Sequence, residues 1–122
     1  MKRISKRNLA RIAAGKKPEM SEDEFLRQVI DFARLHGWLV AHFRPAMDSH
    51  GRWKTAVQGN GQGFPDLVCV RGERILYCEL KSARGKLSPW QLQWMDALSN
   101  ARALVFVWRP ADWSRIVETL GS

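Results

Sequence analysis

Gly63-Phe64-Pro65-Asp66-Leu67-Val68-Cys69-Val70-Arg71-Gly72-Glu73-Arg74-Ile75-Leu76-Tyr77-Cys78-Glu79-Leu80-Lys81 is the stretch from which the rest of the chain is read. Two apolar runs flank Arg71-Gly72-Glu73-Arg74, in which Gly72-Glu73 has the Gly-X form of a tight β-hairpin turn. With Arg71 facing Arg74, antiparallel pairing sets Asp66 opposite Glu79 and Phe64 opposite Lys81. Side chains alternate with period two, so Asp66, Glu79 and Lys81 share a face with Val68, Val70, Ile75 and Tyr77. The pattern therefore predicts two carboxylates at the edge of an apolar layer. Facing residues have Cβ atoms roughly 4.5–5.5 Å apart, and like charges so placed destabilise the pair. Something must offset that repulsion.

A divalent cation is the simplest answer. Mg²⁺ is typically held by one or two carboxylates, with waters and substrate phosphates completing its octahedron. Lys81, two residues from Glu79, points at the same spot. Together these are the parts for metal-assisted phosphodiester hydrolysis: a cation to activate water and an ammonium to offset developing negative charge. The competing reading is a surface hairpin in which Asp66 or Glu79 forms an ion pair with Lys81. The apolar runs, the register and the basic character of the chain favour the site.

Pro65-Asp66 followed by Glu79-Leu80-Lys81 resembles the PD-(D/E)XK nuclease signature. Gly63-Phe64-Pro65-Asp66-Leu67, Glu79-Leu80-Lys81-Ser82 and Leu87-Ser88-Pro89-Trp90-Gln91 together resemble its VRR-NUC branch, over residues 21 to 120. The two-part signature alone is a weak pattern, whereas three motifs in this order and spacing are much more specific. The resemblance implies a restriction-endonuclease-like core and a metal-dependent DNA endonuclease leaving 5′-phosphate and 3′-hydroxyl ends. In that reading Asp66 and Glu79 bind Mg²⁺ or Mn²⁺, the Leu80 carbonyl is a third ligand, and Lys81 orients the attacking water. The neighbouring carboxylates favour its charged form, so positioning and electrostatics are expected of it rather than proton abstraction. The resemblance allows either a structure-specific endonuclease for branched or junction DNA of replication, repair or recombination or a less selective DNA nickase; it also allows a homodimer and implies a phage- or prophage-type protein in a bacterial cytoplasm. A non-catalytic nucleic-acid-binding module on the same fold is the alternative.

With 122 residues the chain has the size of one domain with its own core. A net charge of +8 favours a polyanionic partner, and nucleic acid fits better than a membrane because no segment joins the charge to enough aromatic anchors. No apolar run is long enough to span a bilayer, and the basic start lacks the apolar stretch of a secretory signal. Cys69 and Cys78 fall diagonally on one hairpin face and are expected as buried thiols, not a disulfide. His36, His42 and His50 have no zinc-ligand spacing.

Residues 1–20 form a basic arm with Lys2, Arg3, Lys6, Arg7, Arg11, Lys16 and Lys17, and residues 21–122 the nuclease-like domain. Ile4, Leu9 and Ile12 give the arm a weak helical stripe. It either neutralises phosphates without sequence preference or serves as a solvated extension. Ser21 to His36 reads as a helix, with Ser21 and Glu24 as capping box and Met20 and Phe25 as staple. Related nucleases often carry an acidic residue on this helix near the metal. Glu24 has a capping task, so Glu22, on the side of Phe25, Leu26 and Val29, is the candidate; compensation of the helix dipole is its other explanation. Trp38 to Phe43 is one strand, and His42 near its end resembles a substrate-contacting His of the family.

Arg44 to Gln62 reads as a long connection in which Arg44, Arg52, Trp53 and Lys54 mix cations with an aromatic ring, a combination suited to DNA. Its glycines, Gly59, Gly61 and Gly63, allow close approach to the site without forming a P-loop. Beyond the hairpin, Arg84 and Lys86 lie on a turn at the mouth of the site, where they either hold the DNA backbone or are simply solvated. Ser88 starts a second helix, with Pro89 at its first position and Gln91 closing a capping box. Gln91 thus has a structural task, and the resemblance also sets it near the catalytic residues. Trp90, Trp94, Ala97 and Leu98 are expected as the buried stripe. Ala103 to Trp108 is a buried strand parallel to the second hairpin strand, and Ala111 or Asp112 opens a terminal helix. The expected fold is mixed α/β: helix, three strands, helix, strand, short helix.

Overall fold

The hairpin forms in the register that its turn dictates. In the computed structural model, which describes residues 4–16, 19–43 and 59–122 and the backbone of 46–47 and 53–54, strand β4 (Leu67–Arg71) pairs antiparallel with β5 (Arg74–Leu80). Arg71 faces Arg74 and Leu67 faces Cys78, so one rung further Asp66 meets Glu79. Gly72 has φ +59°, while Glu73 keeps the negative φ usual for an L-residue, the pattern of a II′ turn.

Strand β1 (Leu39–His42) adds to β4 antiparallel, and β6 (Leu104–Trp108) adds to β5 in parallel, giving a four-stranded sheet in the order β1-β4-β5-β6. Helix α1 (Lys6–Ala13) lies in the arm, and α2 (Glu22–Leu35) precedes β1. Helix α3 (Pro89–Asn100) links β5 to β6, and a 3₁₀ turn (Pro110–Asp112) leads into α4 (Trp113–Gly121). Inside the stretch read as a long connection, β2 (Ala46–Met47) and β3 (Trp53–Lys54) form a separate two-stranded ribbon.

The main core lies between the sheet and the pair α2/α4. Phe25, Leu26, Val29 and Ala33 of α2 and Ile116 and Leu120 of α4 bury Leu67, Cys69, Leu76, Cys78 and Leu80. This corrects one expectation. The face shared by the carboxylates is the less covered one: Val70 and Ile75 are exposed there, while Val68 and Tyr77 are half-buried. Both faces of the hairpin are apolar in sequence, so the two covering helices decide which is deeper. Cys69 and Cys78 are free and buried on the core face, as expected.

The hairpin tip is tied to the end of the chain. Arg71 donates to the carbonyls of His36 (2.9 Å), Leu120 (3.1 Å) and Ser122, and Arg74 donates to the Thr119 carbonyl (3.2 Å). Both guanidinium groups sit over the ring of Trp38, whose indole N–H donates to the Leu120 carbonyl at 2.8 Å. Carbonyls that a helix leaves unpaired at its C-terminus are met in this way, and α4 is held onto the core. No described helix is long and apolar enough to cross a membrane.

Candidate active site

Strand β4 begins one residue after Asp66, so the amide of Leu80 on β5 has no strand partner at that rung. The Asp66 side chain takes the place of one: its Oδ2 accepts from the Leu80 N–H at 2.9 Å. The N–H and C=O of one strand residue point to the same edge, so the Leu80 carbonyl is directed to this side too. Pro65, fully buried, leads into Asp66, and the Asp66 carbonyl accepts from the Phe43 N–H at 2.7 Å. The aspartate is thus fixed from backbone and side chain alike.

Glu79 is 1% exposed and comes up from β5 on the same face. Its Oε1 accepts from Gln91 Nε2 at 2.9 Å, while its Oε2 is buried without a hydrogen bond. Burial first, then the negative charge of Asp66, pushes the Glu79 carboxyl up to about 8; Lys81 acts in the opposite direction. An orphaned carboxylate oxygen deep in a protein is costly, and two acids sharing a site cannot both ionise cheaply. The pair therefore holds a proton or asks for a cation. The donors offered here by Asp66, Glu79 and the Leu80 carbonyl are all oxygen, the chemistry that suits Mg²⁺ or Mn²⁺.

Helix α3 completes the site through its first turn. Ser88 and Gln91 form the full capping box: Ser88 Oγ accepts from the Gln91 N–H at 3.1 Å, and Gln91 Oε1 accepts from the Ser88 N–H at 2.8 Å. With its oxygen so held, the amide nitrogen of Gln91 is aimed at Glu79. The capping and site roles expected separately belong to one side chain. Orienting Gln91 inward rotates α3 away from the predicted stripe: Met95 is its buried residue, Trp94 and Leu98 are half-buried, and Trp90 and Ala97 are exposed. That is a correction of the phase, caused by the bond to Glu79.

Gly63 locks this arrangement. Its φ is +82°, and a Cβ there would come within 2.4 Å of the Trp90 carbonyl carbon. The loop before Asp66 thus rests on the backbone of α3 at the residue preceding Gln91. Lys81 is half-buried beside Glu79, and its chain passes Gly85, where a Cβ would lie 3.3 Å from Lys81 Cδ. Arg109, which carried no signal in the sequence, holds the 82–85 turn: its Nη1 donates to the carbonyls of Ser82 (2.7 Å) and Gly85 (2.6 Å). Arg84 and Lys86 lie on and just after that turn; Arg84 is exposed.

Glu22 is half-buried in the first turn of α2, where Asp23 and Glu24 are exposed, and the Ser21 hydroxyl accepts from the Glu24 N–H at 3.1 Å. Among the described residues no three His, Cys, Asp or Glu side chains gather as a metal-holding group, so Glu22 does not join the pair as a third carboxylate. His42 is exposed and pairs with Leu67, next to the Asp66 rung. Arg44 and Arg52 lie outside the described residues; Trp53 and Lys54 are described as backbone of β3 only.

Comparison with known proteins agrees with this fold. No curated protein matches the chain in sequence. A solved structure described as a VRR_NUC domain protein superposes with a TM-score of 0.55 at 20% identity, covering 85% of this chain and 93% of its own, and so shares the fold. The family model of the VRR-NUC domain matches residues 15–112, which take in Asp66, Glu79, Lys81 and Gln91. The chain belongs to the VRR-NUC domain family.

Proposed function

We propose that the chain is a Mg²⁺- or Mn²⁺-dependent endonuclease that hydrolyses phosphodiester bonds in DNA, with branched or junction DNA as its substrate. The observation that carries this reading is the buried Asp66–Glu79 pair, with one Glu79 oxygen lacking a hydrogen bond. A buried acid pair of this kind is costly unless a proton or a cation meets it, and a cation also suits a basic chain drawn to phosphate. Asp66, Glu79 and the Leu80 carbonyl would hold the cation, which supplies Lewis acidity and a more acidic bound water.

The remaining steps belong to the chain's own residues. Lys81 sets its ammonium beside the pair, where it attracts a non-bridging phosphate oxygen and offsets charge as the phosphorus becomes five-coordinate. Gln91 fixes the Glu79 carboxylate in one rotamer, so that the metal-binding geometry is organised before substrate arrives. Arg84 and Lys86 meet the flanking phosphates, which position the strand without reading sequence. Net charge of +8 draws DNA to this surface.

The test is cleavage of labelled linear duplex, flap and four-way-junction DNA with Mg²⁺, with Mn²⁺ and with EDTA. Cutting is expected with either metal and not with EDTA. Asp66→Ala and Glu79→Ala should each lower the rate by about a hundred- to a thousand-fold, as removal of a charge-stabilising group does, with DNA binding kept or tightened. Tight binding without cutting under any metal would make the chain a binding module on a nuclease fold.

A further inference from the structure

Two aromatic rings beside the carboxylate pair face solvent. Trp90 is 51% exposed and Phe43 is 46% exposed. From Phe43 a set of rings packed edge to face runs to Trp94 on α3. Phe64 lies 5.5 Å from Phe43 at 88°, 5.0 Å from Trp94 at 84°, and 6.2 Å from Tyr77 at 88°. Trp94 is four residues after Trp90, one turn along the same side of α3. Its indole N–H donates to the Asn60 carbonyl at 2.8 Å, which fixes that ring.

Both ends of this cluster are bound to the site. Phe43 donates its amide to the Asp66 carbonyl, and Trp90 precedes Gln91, whose amide holds Glu79. Gly63 packs closely against the backbone and Cβ of Trp90. Large exposed rings next to a buried carboxylate pair are a surface suited to another planar group.

We propose that Trp90 and Phe43 are the exposed ends of a stacking shelf that holds bases of an unpaired DNA strand beside the carboxylates. The charge of the neighbourhood selects the occupant: Lys81, Arg84 and Lys86 lie on and beside the turn that leads into α3, which suits an anionic backbone carrying planar rings and disfavours an apolar protein surface. In a duplex the base faces are stacked on each other and are closed to side chains, so the shelf engages unpaired nucleotides only. For what the held strand serves, this rests on the nuclease reading; the binding itself does not.

Binding is measured by fluorescence anisotropy on the full chain in EDTA, with a labelled oligothymidine and a blunt duplex of equal length. Trp90→Ala should weaken single-strand binding by about ten-fold or more, the size of one base–aromatic stack, and leave duplex binding and the salt slope of both unchanged. Trp90→Phe should keep most of the single-strand affinity. Phe43→Ala should reproduce the selective loss from the other end of the shelf. Equal losses on both DNAs, no loss in either alanine variant, or a wild-type chain that does not bind the single strand would overturn the shelf. Because EDTA prevents cleavage, the two readings fail separately. A chain that never cuts but shows the selective loss keeps the shelf and loses the nuclease; a chain that cuts without it keeps the nuclease and loses the shelf.

Discussion

Glu79 concentrates the chemistry of the molecule in one side chain. Between its ordinary value of 4.5 and the raised value of about 8, the folded chain keeps a proton that the unfolded chain has released. More protons bound in the folded state means that stability falls as pH rises, so the metal-free chain should lose on the order of a few kcal/mol across that window. Urea midpoints measured from pH 5 to pH 9 would show this, and Glu79→Gln, which carries no titrating proton, should flatten the profile. A wild-type profile equally flat would mean that Glu79 ionises normally. Divalent cations bind the deprotonated pair, so Mg²⁺ or Mn²⁺ should raise the midpoint near pH 8 and much less near pH 5.5, where the proton competes. Equal stabilisation of Glu79→Gln would place the cation elsewhere.

Elements differ in how much of their placement the sequence shows. The β4–β5 register follows from Gly72, because one turn residue fixes every pairing behind it, and the Asp66–Glu79 rung was legible for that reason. The choice of faces was not: Val68, Val70, Ile75 and Tyr77 are as apolar as Leu67, Cys69, Leu76 and Cys78, and only the docking of α2 and α4 separates them. The phase of α3 was hidden in the same way, since Trp90, Leu92, Trp94, Met95 and Leu98 surround the helix and Gln91 decides which side turns in. Arg109 bonds to carbonyls, which leave no mark in a sequence. Gly63 and Gly72 test the element-level argument, because both have positive φ but only Gly63 of the two is crowded. Gly72→Ala, in open space, should cost about 1 kcal/mol of stability and leave cleavage intact. Gly63→Ala adds a backbone collision at Trp90, so it should cost about 2 kcal/mol or more and lower cleavage by displacing Gln91. Similar losses at both positions would mean that the loop does not brace α3.

Across the whole molecule, the arm is tied to the domain through Glu19. This carboxylate receives Arg7 at 3.1 Å and Arg11 at 3.5 Å, and lies 3.8 Å from Arg84, which is 70% exposed on the turn beside Lys81. Asn8 brackets the same residue, accepting from the Glu19 N–H at 2.6 Å and donating to its carbonyl at 3.0 Å. These bonds bring α1 alongside the site turn, so its basic side chains extend the cationic surface that Arg84 and Lys86 begin. None of the residues of α1 is buried, so its removal leaves the core whole. Deleting residues 1–17 removes Lys2, Arg3, Lys6, Arg7, Arg11, Lys16 and Lys17 and releases Glu19 next to Arg84. The logarithm of DNA affinity should then depend less steeply on the logarithm of salt concentration, by about 0.9 for each duplex phosphate that the arm no longer neutralises. Unfolding midpoints should stay near the wild-type value, and single-turnover cleavage at saturating enzyme should be kept, because the carboxylate pair, Lys81 and Gln91 lie outside the deleted segment. An unchanged salt slope would mean that the arm lies away from the phosphates, with Glu19 serving only to fold it against the domain.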